Sequence, residues 1–143
     1  MKKIISLVVT LALMLSSVSV TAQKEVSVIK DGQHIIFDVN PYIDVDTTMV
    51  PMRAIFESVG AKVTWDGETR TVISLYQVGD EYKTLTLQVG NNFLFLNGEK
   101  IPMSKAAVIV GDRTFVPLRA VIETLGHDVS WDPDTYTVKI TTK

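Results

Sequence analysis

The amino-acid sequence predicts an α+β fold, in which a mainly antiparallel sheet and two short helices form a single pseudo-symmetric domain. Three observations predict this fold. A segment that begins at Val50 recurs, with similar sequence, from Val116, 66 residues later. Each copy carries an apolar pattern of helical period followed by alternating, strand-like residues. Asp-Gly or Asn-Gly, typical of tight β-hairpins, stands between apolar runs upstream of each copy.

The repeat aligns residues 50–74 with residues 116–140 without a gap. Val, Pro, Arg, Ala, Glu, Gly, Trp, Asp and Thr recur at matched positions. The same offset pairs Gly32 with Gly98, so the repeats extend over about 26–75 and 92–141. The pattern predicts a tandem duplicated unit of β-hairpins with one short helix each. Two separable subdomains are the alternative.

One short helix is predicted in each copy. Pro51 and Pro117 suit the first helical turn, where a missing N–H costs nothing. Gly60 and Gly126 follow at the left-handed position that ends a helix. The apolar stripes are Met52, Ile55, Phe56 and Val59 in the first helix, and Leu118, Val121, Ile122 and Leu125 in the second. Helices this short are unstable alone, so the stripes should pack on a sheet.

Alternating strands follow each helix, at residues 62–65 and 127–131. Asp66 and Asp132 come next, and we expect each carboxylate to accept hydrogen bonds that hold the following turn. Between the copies, residues 84–89 alternate and read as one more strand.

Residues 1–22 resemble a secretory signal peptide, with Lys2 and Lys3, an apolar run and a small-residue cleavage site. Cleavage would leave residues 23–143 as a secreted protein, released or held non-covalently at the cell wall, with no stable membrane insertion. An uncleaved anchor is the alternative. The chain has no cysteine, so its stability should come from its packed core. Without Lys2 and Lys3, 12 of the 14 basic residues remain against 16 acidic ones, a mildly acidic balance that argues against nucleic-acid binding.

The doubled motif, Val-Pro-x-Arg-Ala through Trp-Asp and Thr-x-Thr-Val, resembles the copper amine oxidase N-terminal-like, or stalk-like, domain of secreted Gram-positive bacterial proteins. The resemblance covers essentially all of residues 23–143. It implies an accessory module, because the copper and quinone sites of the oxidase belong to a separate catalytic domain. No catalytic residue can be carried over. The only histidines, His34 and His127, are not matched by the repeat, so we expect no metal or other cofactor.

The candidate binding residues are aromatic or basic. Trp65 and Trp131 could stack on a sugar ring if exposed, but their strands alternate with apolar partners on the same face, which favours burial beneath the helices. Arg53 and Arg119 each precede a Glu by four residues, which favours a helix-surface pair over a carboxylate-binding site. Glycan-facing tyrosines would include Tyr76 and Tyr136.

Function is predicted to be non-catalytic. The leading hypothesis is a surface or cell-wall-associated module that binds a polymer, either a glycan or a surface protein. The alternative is a structural module for protein–protein contact or homo-dimerisation through an open strand edge. A small hydrolase or metal enzyme is the third hypothesis; the chain shows no nucleophile elbow, HExxH motif or phosphate loop.

Overall fold

A computed structural model describes residues 24–143 and places 13 strands and two helices in that range. The predicted signal peptide lies outside the described residues. The mostly antiparallel α+β fold and the single small domain predicted from the sequence are confirmed.

The elements follow one another with short connections. The first part of the chain forms β1 Ser27–Lys30, β2 Gln33–His34, β3 Tyr42–Asp44, β4 Thr47–Pro51, α1 Met52–Ser58, β5 Lys62–Asp66, β6 Thr71–Val78 and β7 Glu81–Gln88. The second part forms β8 Phe93–Leu96, β9 Glu99–Pro102, β10 Val108–Val110, β11 Arg113–Pro117, α2 Leu118–Thr124, β12 Asp128–Asp132 and β13 Thr137–Thr141.

The strands form three sheets, with orders β12-β13-β1-β2, β10-β11-β4-β3 and β5-β6-β7-β8-β9. Neighbouring strands are antiparallel except β1 and β13, which run parallel. In the second sheet β4 pairs with β11, with Val50 opposite Val116. This central pair joins the two halves of the chain and brings the two helix starts to neighbouring positions.

Elements in the two halves correspond at an offset of 66 residues, from β1 with β8 to β6 with β13. The sheets nevertheless assemble the corresponding strands differently. β13 pairs directly with β1, whereas β7 lies between β6 and β8. The predicted duplicated hairpin unit is therefore not established by the sheet order.

Both helices begin directly after a strand of the central sheet. Pro51 and Pro117 cap them with φ of −56° and −63° and extended ψ, so each helix begins one residue later than predicted. Neither cap has a side-chain hydrogen bond. At the other end Gly60 has φ of +79°, and its N–H donates to Glu57 while Ala61 N–H donates to Phe56. These two backbone hydrogen bonds satisfy carbonyls of the last helical turn, and the chain then turns into β5.

The core lies between the helices and the sheets. Both apolar helix stripes are buried as predicted, and they belong to one cluster that includes Val28, Val72, Leu85 and Leu94 from the strands. Each fully buried aliphatic or aromatic side chain contributes roughly 1.5–3 kcal/mol. Because seven-residue helices are marginal in isolation, this shared core is what holds both helix starts in place.

Candidate functional site: two grooves at the helix starts

A groove lies at the start of each helix, and each combines elements from both halves of the chain. The Trp131 groove, with a cavity volume of about 510 Å³, lies between α2, β12 and the β3–β4 hairpin. Its lining residues are Ile43, Val45, Asp46, Thr47, Thr48, Ser104, Pro117, Leu118, Arg119, Val129, Ser130, Trp131, Tyr136 and Val138. The crossed arrangement follows from the pairing of β4 with β11, which sets each hairpin beside the helix of the other half.

The aromatic wall of this groove is formed by Trp131 and Tyr136. Their ring centroids are 5.0 Å apart at an interplanar angle of 69°, an edge-to-face contact. Trp131 is 36% exposed, whereas Tyr136 is half-buried. The contact fixes the indole while leaving part of its surface open to solvent.

The rim opposite the aromatic pair is made of hydroxyl groups. Thr47 Oγ1 and Ser104 Oγ lie 2.9 Å apart and share a hydrogen bond across 57 residues of sequence. Thr48 and Ser130 add two further hydroxyls to the lining. Hydroxyl groups both donate and accept, so this rim can match ligand groups of either kind.

A second groove, the Trp65 groove, occupies the corresponding place at the start of α1 and has a volume of about 690 Å³. Its lining residues are Ile36, Asp38, Pro51, Met52, Arg53, Ala54, Glu57, Trp65, Ile109, Asp112, Arg113 and Thr114. Here the rim contact is ionic. Arg113 donates from Nε to Asp38 Oδ2 at 2.9 Å and lies 3.3 Å from Asp112. The hydrogen bond from Arg113 lowers the pKa of Asp38, and the same bond raises the pKa of Arg113.

The two predicted arginines lie at the groove edges as helix-surface residues. Arg119 donates from one guanidinium nitrogen to Glu123 at 2.9 Å and to the Val129 carbonyl at 3.0 Å. Arg53 lies 3.5 Å from Glu57. Both arginines are more than half exposed. The contacts are those expected of a helix-surface pair, with Arg119 also tying α2 to β12.

The favoured burial of both tryptophans is wrong for Trp131. Val129 packs against the core cluster, whereas Trp131, further along the same face of β12, lines the groove and stays partly open. Trp65 is half-buried and packs against the core cluster. Of the predicted tyrosines, Tyr136 lies in the Trp131 groove. Tyr76 lines neither groove; its hydroxyl lies 3.0 Å from Nε2 of the buried His127.

The turns after both tryptophans are built alike. Asp66 Oδ1 accepts the N–H of Glu68 at 3.0 Å and that of Thr69 at 3.4 Å. Asp132 Oδ1 does the same for residues 134 and 135. Backbone amides thereby lower the pKa of both carboxyls. Each turn ends at a left-handed residue, Arg70 at φ +53° or Tyr136 at φ +56°.

Metal-ligating residues are dispersed in the part of the chain that the structure describes. Across residues 24–143 no three His, Asp or Glu side chains come together as a metal-binding group. The expectation of no cofactor remains a prediction. In the same range, neither helix combines the length and apolar character needed to cross a membrane.

Sequence reasoning missed the rim residues, Thr47, Ser104, Asp38 and Arg113. Their partners are distant in the chain, so no local motif marks them. The 66-residue offset of the repeat could have related them, because it pairs Thr47 with Arg113 and Asp38 with Ser104. The two rim contacts therefore occupy corresponding positions.

The fold and grooves define a small α+β module, and comparison with known proteins gives its family. Residues 29–140 match the copper amine oxidase N-terminal domain. The chain belongs to this family, and that domain is a non-catalytic module of the oxidase.

A relative from Brevibacillus choshinensis, named a protease inhibitor, is 33% identical over 141 residues. The match covers 85% of this chain and 36% of that protein, so this chain spans little more than a third of the relative's length.

Proposed function

We propose that this chain is a non-catalytic accessory module of an exported protein, and that it binds a polymer, glycan or protein, in the Trp131 groove. Export is inferred from the signal-like residues 1–22, and attachment to the cell wall would be non-covalent. The observation that carries the proposal is the partly open Trp131 indole, held by Tyr136 beside a hydroxyl rim.

The groove has the features of a binding site. Ligand pockets are concave, mostly apolar and carry a few placed polar groups. Ile43, Val45 and Val129 supply accessible apolar surface beside the indole, and the hydroxyl rim supplies the polar groups. No general acid–base pair is needed for such a role, in agreement with the non-catalytic character of the family.

Retention on cell-wall polymers tests the proposal. Purified protein is incubated with insoluble wall polymer and with wall-surface protein extract immobilised on beads, and the bound fraction is measured. We expect retention on one of these matrices, strongly reduced by Trp131→Ala and little changed by Trp65→Ala. No retention on either matrix, or equal loss with both variants, contradicts the proposal.

Protein docking is a second candidate, favoured by an apolar strip on the outer face of the third sheet. Ile73, Leu75 and Phe95 are each exposed by more than a third, and Ile73 and Phe95 flank Thr86 in one row. The relative named a protease inhibitor makes a protease one partner to test. We would measure residual activity of a panel of proteases and sedimentation across a concentration range. Unchanged protease activity together with a strict monomer contradicts this candidate.

We also propose that the chain arose by tandem duplication of a unit of β-hairpins and one helix. The matched turns after Trp65 and Trp131 and the matched helix ends support this origin. Insertion of β7 would then account for the different sheet orders. A circular permutant that starts at Phe93 tests this: failure to fold contradicts two equivalent units.

A further inference from the structure

We infer that the ligand of the Trp131 groove is a neutral glycan whose sugar ring stacks on the Trp131 indole. The inference rests on the proposed function and adds the chemical class of the ligand. Three features carry it: the open indole braced by Tyr136, the hydroxyl rim and the charges of the lining.

The indole and the hydroxyl rim are complementary to the two kinds of surface on a sugar. One face of a pyranose ring presents C–H groups, which carry partial positive charge and pack on the negative face of an aromatic ring. The edge of the sugar presents hydroxyls, each a donor and an acceptor. Thr47, Thr48, Ser104 and Ser130 offer the same dual capacity.

The charges in the groove favour a neutral ligand. Among the described lining residues, Asp46 and Arg119 carry charge. Nη1 of Arg119 donates to Glu123 and to the Val129 carbonyl, and the Glu123 carboxylate offsets the positive charge of the guanidinium. The Asp46 carboxylate would repel a uronate or a phosphate, so an acidic glycan should bind less tightly than a neutral one.

Tyr136 braces the Trp131 indole from the turn that follows β12. Its φ of +56° places a bulky aromatic residue in the left-handed region, where glycine or asparagine is favoured. Arg70 occupies the corresponding turn position at φ +53° but does not line either groove. The left-handed backbone therefore belongs to the repeated turn, and what differs at Tyr136 is its ring, which contacts the Trp131 indole edge to face.

Titration of the full chain with defined oligomers tests the ligand class. The probes are cellohexaose and chitohexaose as neutral glycans, hexagalacturonate as an acidic glycan, and decaproline as a peptide that also docks on aromatic grooves. Calorimetry gives affinities, and tryptophan fluorescence reports the indole. We expect one of the neutral hexamers to bind, and Trp131→Ala to weaken it by about tenfold or more. Trp65→Ala, the matched control, should leave its affinity within about twofold.

Tyr136→Gly and Arg70→Gly form the second matched pair. Both variants accommodate the left-handed backbone, but Tyr136→Gly also removes a ring that packs on Trp131 and on the core, so it should lower the melting temperature more than Arg70→Gly does. Only Tyr136→Gly should weaken sugar binding. Equal affinity after Tyr136→Gly in protein that remains folded, or an equal loss of affinity after Arg70→Gly, overturns the assigned role of Tyr136.

The outcomes separate the ligand class from the proposed function. Preference for hexagalacturonate or decaproline, abolished by Trp131→Ala, overturns the neutral glycan while the groove keeps its binding function. If no hexamer binds but Trp131-dependent retention on a wall polymer or protein persists, the ligand class is again wrong. If Trp131-dependent retention is also missing, both proposals fail.

Discussion

The Trp131 groove and the Trp65 groove occupy corresponding places, yet they present different chemistry. Each groove is lined by a Pro-x-Arg segment at the start of a helix and by a tryptophan on the following strand. The Trp131 groove has an aromatic pair and a hydroxyl rim. The Trp65 groove has a half-buried indole and the ion pair of Arg113 with Asp38. Helix, turn and strand therefore set the shape of each groove, while a few rim side chains set its chemistry.

The largest expected effects test whether both grooves rest on one core. Phe56 beneath α1 and Ile122 beneath α2 are both fully buried in the same cluster. We expect Phe56→Ala to lower the free energy of unfolding by about 3–5 kcal/mol and Ile122→Ala by about 2–5 kcal/mol. Denaturant unfolding followed by circular dichroism measures both.

A shared core also predicts one cooperative transition. Fluorescence from Trp65 and from Trp131, observed separately in single-tryptophan variants, should report the same midpoint in each core variant. Two separated transitions would mean that the grooves belong to independent folding units.

A smaller effect is expected at Ser74, which corresponds to the buried Ile140 in the other half. Within the described structure, Ser74 Oγ is buried and has no hydrogen-bond partner. Because an unsatisfied buried hydroxyl is costly, Ser74→Ala should raise the free energy of unfolding by about 1–2 kcal/mol. Ser58→Ala is the control, since Ser58 Oγ donates to the Ile55 carbonyl at 2.7 Å and its loss should destabilise. A destabilised Ser74→Ala protein would show that this hydroxyl has a partner, such as a water molecule.

The parts predicted well from sequence are those encoded locally. The helical stripes, the glycine ends at Gly60 and Gly126 and the Asp-Gly and Asn-Gly hairpins each depend on residues within one turn of chain. Asp31 and Asn97, both with positive φ, precede glycines of positive φ in these hairpins. Such conformations limit the choice of residues, so the residues reveal the conformation.

The parts predicted poorly depend on pairing between distant strands. The parallel pair of β1 with β13 closes one sheet across more than 100 residues, and no local pattern indicates it. The exposure of Trp131 was misjudged for the same reason. Alternation showed that Val129 and Trp131 share a face, but β5 and β12 are both edge strands, so only the tertiary packing around each indole distinguishes Trp131 from Trp65.

The two halves of the chain should contribute differently to the pH dependence of stability, because His127 in the second half corresponds to Ala61 in the first. His127 is buried, with Nε2 3.0 Å from the Tyr76 hydroxyl and Nδ1 accepting the Lys143 N–H at 3.2 Å. Burial lowers its pKa below the usual 6.5, opposed in part by the negative charges of Asp31 and Asp128. Lys30 lowers the pKa further.

The sign of the pH effect follows from that shift. The unfolded chain takes up the proton at about pH 6.5, before the folded protein does. The contribution of neutral His127 is therefore complete above pH 6.5 and is lost as the pH falls towards the folded pKa. Unfolding free energies measured from pH 8 to pH 5 should decline less steeply in His127→Ala. His34→Ala, which removes an exposed histidine, is the control; an unchanged slope in His127→Ala contradicts the assignment.

The smallest effect distinguishes the two helix starts. Arg53 has one exposed contact with Glu57, so Arg53→Ala should cost about 0.3–0.5 kcal/mol. Arg119 makes a similar pair and also binds the Val129 carbonyl on β12, so Arg119→Ala should cost about 1 kcal/mol. The additional stability cost of Arg119→Ala over Arg53→Ala should persist at high salt, because a hydrogen bond to a neutral carbonyl is screened less than a surface ion pair. Equal costs at high salt would show that Arg119 does not hold β12 against α2, and the frame of the Trp131 groove would then depend on the core alone.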